Sequence, residues 1–199
     1  ADRRRRALGR AVADMTASPA VPDENPPGAP SIHASAVLVG DRAVLIRGPS
    51  GSGKSRLAFD LILAGRAGQI PTAVLVGDDR IHLDVRQGRL WVRPAPQLLG
   101  LIEVRGLGIR RCDFMSEAPL GLVVDLDAAD GTRLPGPESL ATALFGLQLP
   151  RIPVPAGFSA LPLVIAALTT EPLSTSTAPL GDDCPGGICH HIGSTVATD

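Results

Sequence analysis

Residues 48–55 read Gly48-Pro49-Ser50-Gly51-Ser52-Gly53-Lys54-Ser55, which fits GxxxxGK[ST], the loop that cradles phosphates with its backbone N–H groups. Each residue type has a task. Glycines let the main chain approach an anion, and the successive amides form an anion nest at a helix N-terminus. The lysine ammonium reaches the terminal phosphates and the serine hydroxyl serves Mg²⁺. Of the 19 basic residues, lysine occurs only at position 54 and every other one is arginine. The exception falls where a compact, strongly hydrated point charge suits the task better than a planar fork. A nucleoside triphosphate is the expected ligand of Gly48, Pro49, Ser50, Gly51, Ser52, Gly53, Lys54 and Ser55.

Phosphoryl transfer also needs carboxylates, for a metal ion and for the proton of the attacking hydroxyl. Asp78 and Asp79 follow the apolar run Thr72 to Val76, 24 and 25 residues after Lys54. Neighbouring side chains at a strand end point to opposite sides, so one is expected to hold metal and the other to act as base. The plain alternative is a solvated Asp-Asp turn. Asp125 and Asp127 end a second apolar run, Leu120 to Leu126, and rank second for the metal-binding role.

The elements that must position these groups are legible around them. Ala36 to Val39 and Ala43 to Arg47 are short apolar runs about Gly40-Asp41, a hairpin signal, and the second run feeds the glycine loop. Leu57, Ala58, Leu61 and Ile62 then recur at helical spacing, with Gly65 as the expected C-terminal cap. Strand, loop and helix are the context that the motif requires. Ile81 to Val85 and Leu90 to Val92 alternate about Gln87-Gly88 and predict a second hairpin. Leu140 to Leu147 reads as helical, Arg151 to Val154 as a short strand and Ala160 to Leu168 as an apolar helix.

The chain has 199 residues, 44% of them hydrophobic, and a formal net charge of −1. One sizeable core in one domain is the expectation. Residues 31–170 form that domain, between an Arg- and Pro-rich arm at 1–30 and a tail at 171–199 rich in Ser, Thr, Pro and Gly, both read as flexible. The near-neutral charge gives no pull toward nucleic acid, and four arginines at Arg3 to Arg6 without interleaved aromatics read as a solvated tail. No apolar run reaches the length of a membrane span, and the basic start leads into no apolar signal segment. A cytoplasmic protein with reduced cysteines is expected, and Cys184, Cys189, His190 and His191 match no common zinc spacing.

Glu103-Val104-Arg105-Gly106-Leu107-Gly108-Ile109 interrupts an apolar stretch with two glycines and an acid and a base. With the P-loop, the Asp-Asp pair and His33, 15 residues before Gly48, this run resembles the catalytic domain of the HPr kinase/phosphorylase family over about residues 32 to 170. The resemblance implies an α/β fold of the HPr kinase/PEP carboxykinase-like type, a P-loop-containing mixed sheet flanked by helices. It implies an ATP- and Mg²⁺-dependent serine kinase acting on the phosphocarrier protein HPr, assembled as a hexamer. It also implies roles: Ser55 and Glu103 ligate Mg²⁺ with Asp78 beside them, Asp79 takes the seryl proton, and His33 and Lys54 steady the transferring group. Arg133 resembles the family's later catalytic arginine, although Thr132 stands where that motif has Asp.

Two departures bear on function. About 30 Pro-rich residues precede His33, which reads as the short form of the family. Where the family has a Pro-Val-Arg-Pro-Gly-Arg-Asn loop tied to the dephosphorylating reaction, this chain reads Pro153-Val154-Pro155-Ala156-Gly157-Phe158-Ser159. Loss of both arginines removes two forked phosphate ligands, so kinase activity is expected to survive better than phosphorolysis. A small-molecule P-loop kinase and a nucleotide-sensing module with little turnover stand as alternatives.

Overall fold

Alternation along the central strands sets the architecture. In the computed structural model, which describes residues 31–171, Val37, Val39, Val44, Ile46 and Leu75 face one apolar cluster. Ala36, Ala43, Leu45 and Val76 face another. A strand apolar on both faces must be covered on both. The strands are β1 (Ile32–His33), β2 (Ser35–Val39), β3 (Arg42–Arg47), β4 (Ala73–Gly77), β5 (Arg80–Arg86), β6 (Arg89–Pro94), β7 (Leu101–Val104), β8 (Gly108–Arg111), β9 (Ala118–Leu126), β10 (Ala141–Leu144) and β11 (Leu147–Val154). The helices are α1 (Lys54–Arg66) and α2 (Ala160–Thr169).

Nine strands form one mixed sheet in the order β1-β5-β6-β9-β3-β2-β4, with β11 joining β9 and β10 pairing β11. β3 and β11 run parallel to β9, while β2, β4, β5 and β6 make antiparallel pairs. Both described helices lie on one side: Leu57, Ala58, Leu61 and Ile62 of α1 and Ala160 and Val164 of α2 share one cluster with the inner strand residues. The other face is closed by the curl of the sheet itself, where Leu83, Leu90, Leu144, Leu147 and Leu149 pack on Leu45 and Val123. β7 and β8 stand apart as a two-stranded hairpin.

Two local expectations are corrected. The segment 140–147 is a hairpin, not a helix. Phe145 and Gly146 have φ of 51° and 78° between the paired Leu144 and Leu147, the two-residue turn whose twist suits flanking strands. Leu144, Leu147 and Leu149 reach the core only in this arrangement, so packing overrode the helical spacing. Gly65 lies inside the last turn of α1, and Gly68, at φ 71°, takes the left-handed conformation beyond it. Gly65 is required for another reason: a Cβ there would stand 2.7 Å from the backbone nitrogen of Ala73. The Gly40-Asp41 and Gln87-Gly88 turns, the strand from Arg151 to Val154 and the helix from Ala160 form where the sequence places them. The arm at 1–30 and the Cys/His cluster in the tail lie outside the described residues.

Candidate functional site

β3 ends at Arg47 and α1 starts at Lys54, so the loop 48–53 joins a strand buried between β2 and β9 to a helix start. Its glycines take conformations that other residues avoid, with φ of 150°, 82° and 95° at Gly48, Gly51 and Gly53. At Gly48 a Cβ would meet Ser52 Oγ at 2.8 Å and Leu126 O at 2.9 Å, whereas at Gly51 and Gly53 nothing lies within 4 Å. The loop is tight against the sheet and open toward the outside. Lys54 is only 6% exposed. Its ammonium donates to Gly48 O at 3.0 Å and Pro49 O at 2.8 Å. Burial pushes the Lys54 pKa down, against the opposing pull of Asp78 and Asp79.

Asp78 and Asp79 follow β4 and part company as expected, for a reason other than strand pleat. Asp79 adopts φ 68°, which turns its carboxylate outward to His33 on β1, with Oδ1 3.3 Å from His33 Nε2. Both side chains are more than half exposed, and with Ser31 and Arg80 they line a cavity of about 320 Å³. Asp78 turns inward and is 4% exposed. Its Oδ1 accepts from Ser35 Oγ at 2.5 Å and Ser55 Oγ at 2.9 Å, and its Oδ2 accepts from the Glu103 N–H at 3.0 Å. Asp78 thereby ties β2, α1 and β7 to the end of β4. It is the member beside Ser55, and Asp79 is the member open to solvent.

Glu103 enters this cluster through its backbone. Its side chain is exposed and forms no ion pair among the described residues, so the carboxylate is free to meet a cation. Among the described residues no group of three or more His, Cys, Asp or Glu is placed to hold a metal. A metal here would be held by the Ser55 hydroxyl and carboxylate oxygens, the hard donor set that suits Mg²⁺. The loop has room for a phosphate at the open side of Gly51 and Gly53, while Ser52 Oγ, buried without a hydrogen-bond partner among the described residues, lies on the Gly48 side near Leu126. Arg133 is exposed in the segment after β9 and makes no hydrogen bond or ion pair among the described residues.

Asp125 is engaged elsewhere. Arg47 donates to both of its oxygens at 2.7 Å and Arg151 Nε donates at 2.6 Å. Burial is the largest single influence on Asp125 and pushes its pKa up, but Arg47 and Arg151 together hold the carboxyl below its usual range. Arg151 also grips Asp130 through two nitrogens and the Ser139 carbonyl. Asp125 is thus the centre of an ion-pair network that fixes the strand leading into the P-loop. Ser35 and this network were not singled out in the sequence. The only signal for Ser35 is a hydroxyl opening an apolar strand.

Comparison with known proteins bears on the family and the fold. A family model described as the HPr Serine kinase C-terminal domain matches residues 28–134. The HPr kinase/phosphorylase of Mycoplasma mycoides subsp. mycoides SC is 30% identical over 158 residues, covering 72% of this chain and 48% of that protein. The Streptococcus thermophilus HPr kinase/phosphorylase is 41% identical over 87 residues, 43% of this chain and 25% of the relative. The chain therefore spans half or less of the length of these curated relatives. A solved structure of the Hpr(Ser) kinase/phosphatase from Coxiella burnetii superimposes with a TM-score of 0.56 at 25% identity, covering 70% of this chain and 87% of that one. The matched span takes in the P-loop, both aspartates, Glu103 and His33, and this chain belongs to the HPr serine kinase C-terminal domain family.

Proposed function

We propose that this chain is the catalytic module of an ATP-dependent serine kinase whose acceptor is the phosphocarrier protein HPr. The observation that carries the reading is the division of labour between Asp78, buried against Ser55, and Asp79, exposed in the His33 cavity. A kinase needs one carboxylate for its metal and one for its acceptor. When bound, Mg²⁺ supplies charge neutralisation on the phosphates. The amides of residues 48–53 and the Lys54 ammonium bind the phosphate chain, and Ser55 and Glu103 offer oxygens to the metal. Lys54 must first leave the Gly48 and Pro49 carbonyls, an exchange of one set of acceptors for a more highly charged one.

Asp79 is the base that accepts the seryl proton at Oδ1 or Oδ2. His33, 3.3 Å away, orients that carboxylate and, with Lys54, steadies the transferring group. The exposure of the pair suits a protein side chain as acceptor better than a small molecule enclosed by a lid. In the segment 155–159, with Gly157 at φ 80° and Phe158 71% exposed, no arginine is present to grip a phosphoserine. Forward transfer is therefore favoured over phosphorolysis. A cytoplasmic hexamer completes the reading by resemblance. Among the described residues no helix is long and apolar enough to cross a membrane.

The test is transfer of label from γ-labelled ATP to HPr, with wild type and Asp79→Ala. Phosphoserine on HPr that disappears in the variant is expected. Nucleotide binding without transfer to any acceptor would assign the chain to nucleotide sensing instead. Pyrophosphate release from phospho-HPr and phosphate, as fast as the forward reaction, would refute the predicted bias.

A further inference from the structure

Ser35 begins β2 with a hydroxyl that solvent does not reach, since the residue is 0% exposed. It donates at 2.5 Å to Asp78 Oδ1, the same oxygen that accepts from Ser55 at 2.9 Å. An ionised aspartate only accepts, so both hydroxyl protons point at it. The two serines differ in their footing. Ser55 lies in the first turn of α1, directly after the glycine loop. Ser35 lies on a strand paired on both sides, to β3 and to β4.

We propose that Ser35 is a positioning residue for metal binding at Ser55. Held by Ser35 from the rigid side and by the Glu103 N–H at Oδ2, Asp78 keeps its Oδ1 aimed at Ser55. The Ser55 O–H then stays directed at Asp78 and the lone pairs of its Oγ remain free for a cation. Without Ser35 the carboxylate rotates about its side-chain bonds and the Ser55 hydroxyl loses its fixed direction. Outer partners that orient a ligand in this way typically change metal affinity by about 10- to 100-fold. The inference rests on the reading of residues 48–55 as a nucleotide and Mg²⁺ site.

The test uses the full chain with Ser35→Ala, Ser35→Cys and Ser35→Thr. Binding of a non-hydrolysable ATP analogue is measured across a Mg²⁺ titration and in chelator, and hydrogen exchange at the Glu103 amide is followed without metal. For Ser35→Ala we expect the half-saturating Mg²⁺ concentration to rise by about tenfold, binding in chelator to stay near wild type, and the Glu103 amide to exchange faster. Ser35→Thr, which keeps the hydroxyl, restores all three. Should Ser35→Ala fail to fold, the Cys and Thr variants carry the same comparison, because the thiol is a weak donor. An unchanged Mg²⁺ requirement, or equal weakening with and without Mg²⁺, overturns the proposal and leaves Ser35 a packing residue. If even wild type binds no nucleotide, the underlying site reading fails. Exchange at Glu103 then still decides whether Ser35 holds Asp78, and no change there refutes it.

Discussion

Asp125→Ala separates a structural carboxylate from a catalytic one. Asp125 is 16% exposed and lies between Arg47 and Arg151, themselves 27% and 14% exposed. Removing one partner of a buried pair costs about 3–5 kcal/mol, because the remaining charge is left uncompensated. Arg151 keeps Asp130 and the Ser139 carbonyl, whereas Arg47 loses the only hydrogen-bond acceptor that the described residues give it. One orphaned guanidinium places the cost at the low end, about 3 kcal/mol, or about 10 °C in Tm for a domain of this size. Urea unfolding at neutral pH measures the loss. Arg47 and Arg151 lower the folded-state pKa of Asp125, outweighing burial, so the contribution is present above the unfolded pKa of about 3.9 and lost as pH falls through the folded value. The stability gap between wild type and Asp125→Asn should therefore narrow below about pH 4. Transfer to acceptor per folded molecule is expected to persist. A loss under 1 kcal/mol, about a third of the orphaned-charge cost, or abolished transfer in a fully folded variant, refutes the structural assignment.

Other expectations follow from single contacts. Asp79→Asn keeps nucleotide binding and lowers single-turnover transfer by about 10²- to 10⁴-fold, the range for removing a general base. His33→Ala leaves Asp79 without its partner at 3.3 Å and lowers kcat while the nucleotide Kd, measured by titration, stays near wild type. Gly48→Ala drives a Cβ against the Ser52 hydroxyl and the Leu126 carbonyl at 2.8 and 2.9 Å. Thermal melts should show about 1–3 kcal/mol of lost stability, together with weaker nucleotide binding.

The sequence determined the features whose causes are local. Glycines at 48, 51 and 53 announce a loop that only they can adopt, and the apolar spacing after Lys54 announces the helix whose start the loop caps. The Asp78-Asp79 pair was legible from its place after an apolar strand, and the Gln87-Gly88 turn from residue types that tolerate the left-handed region. Tertiary structure decided what depends on distant neighbours. Asp125 stands as a second candidate for metal until Arg47 and Arg151, 78 and 26 residues away, occupy it. Residues 140–147 read as helix until the core opposite β9 requires Leu144, Leu147 and Leu149 on one face. Ser35 signals only a hydroxyl at the start of an apolar strand, because its contact with Asp78 exists only where β2 comes to lie beside the end of β4. A hydrogen bond between residues 43 positions apart is a property of the packed sheet, since no local preference of either residue encodes its partner.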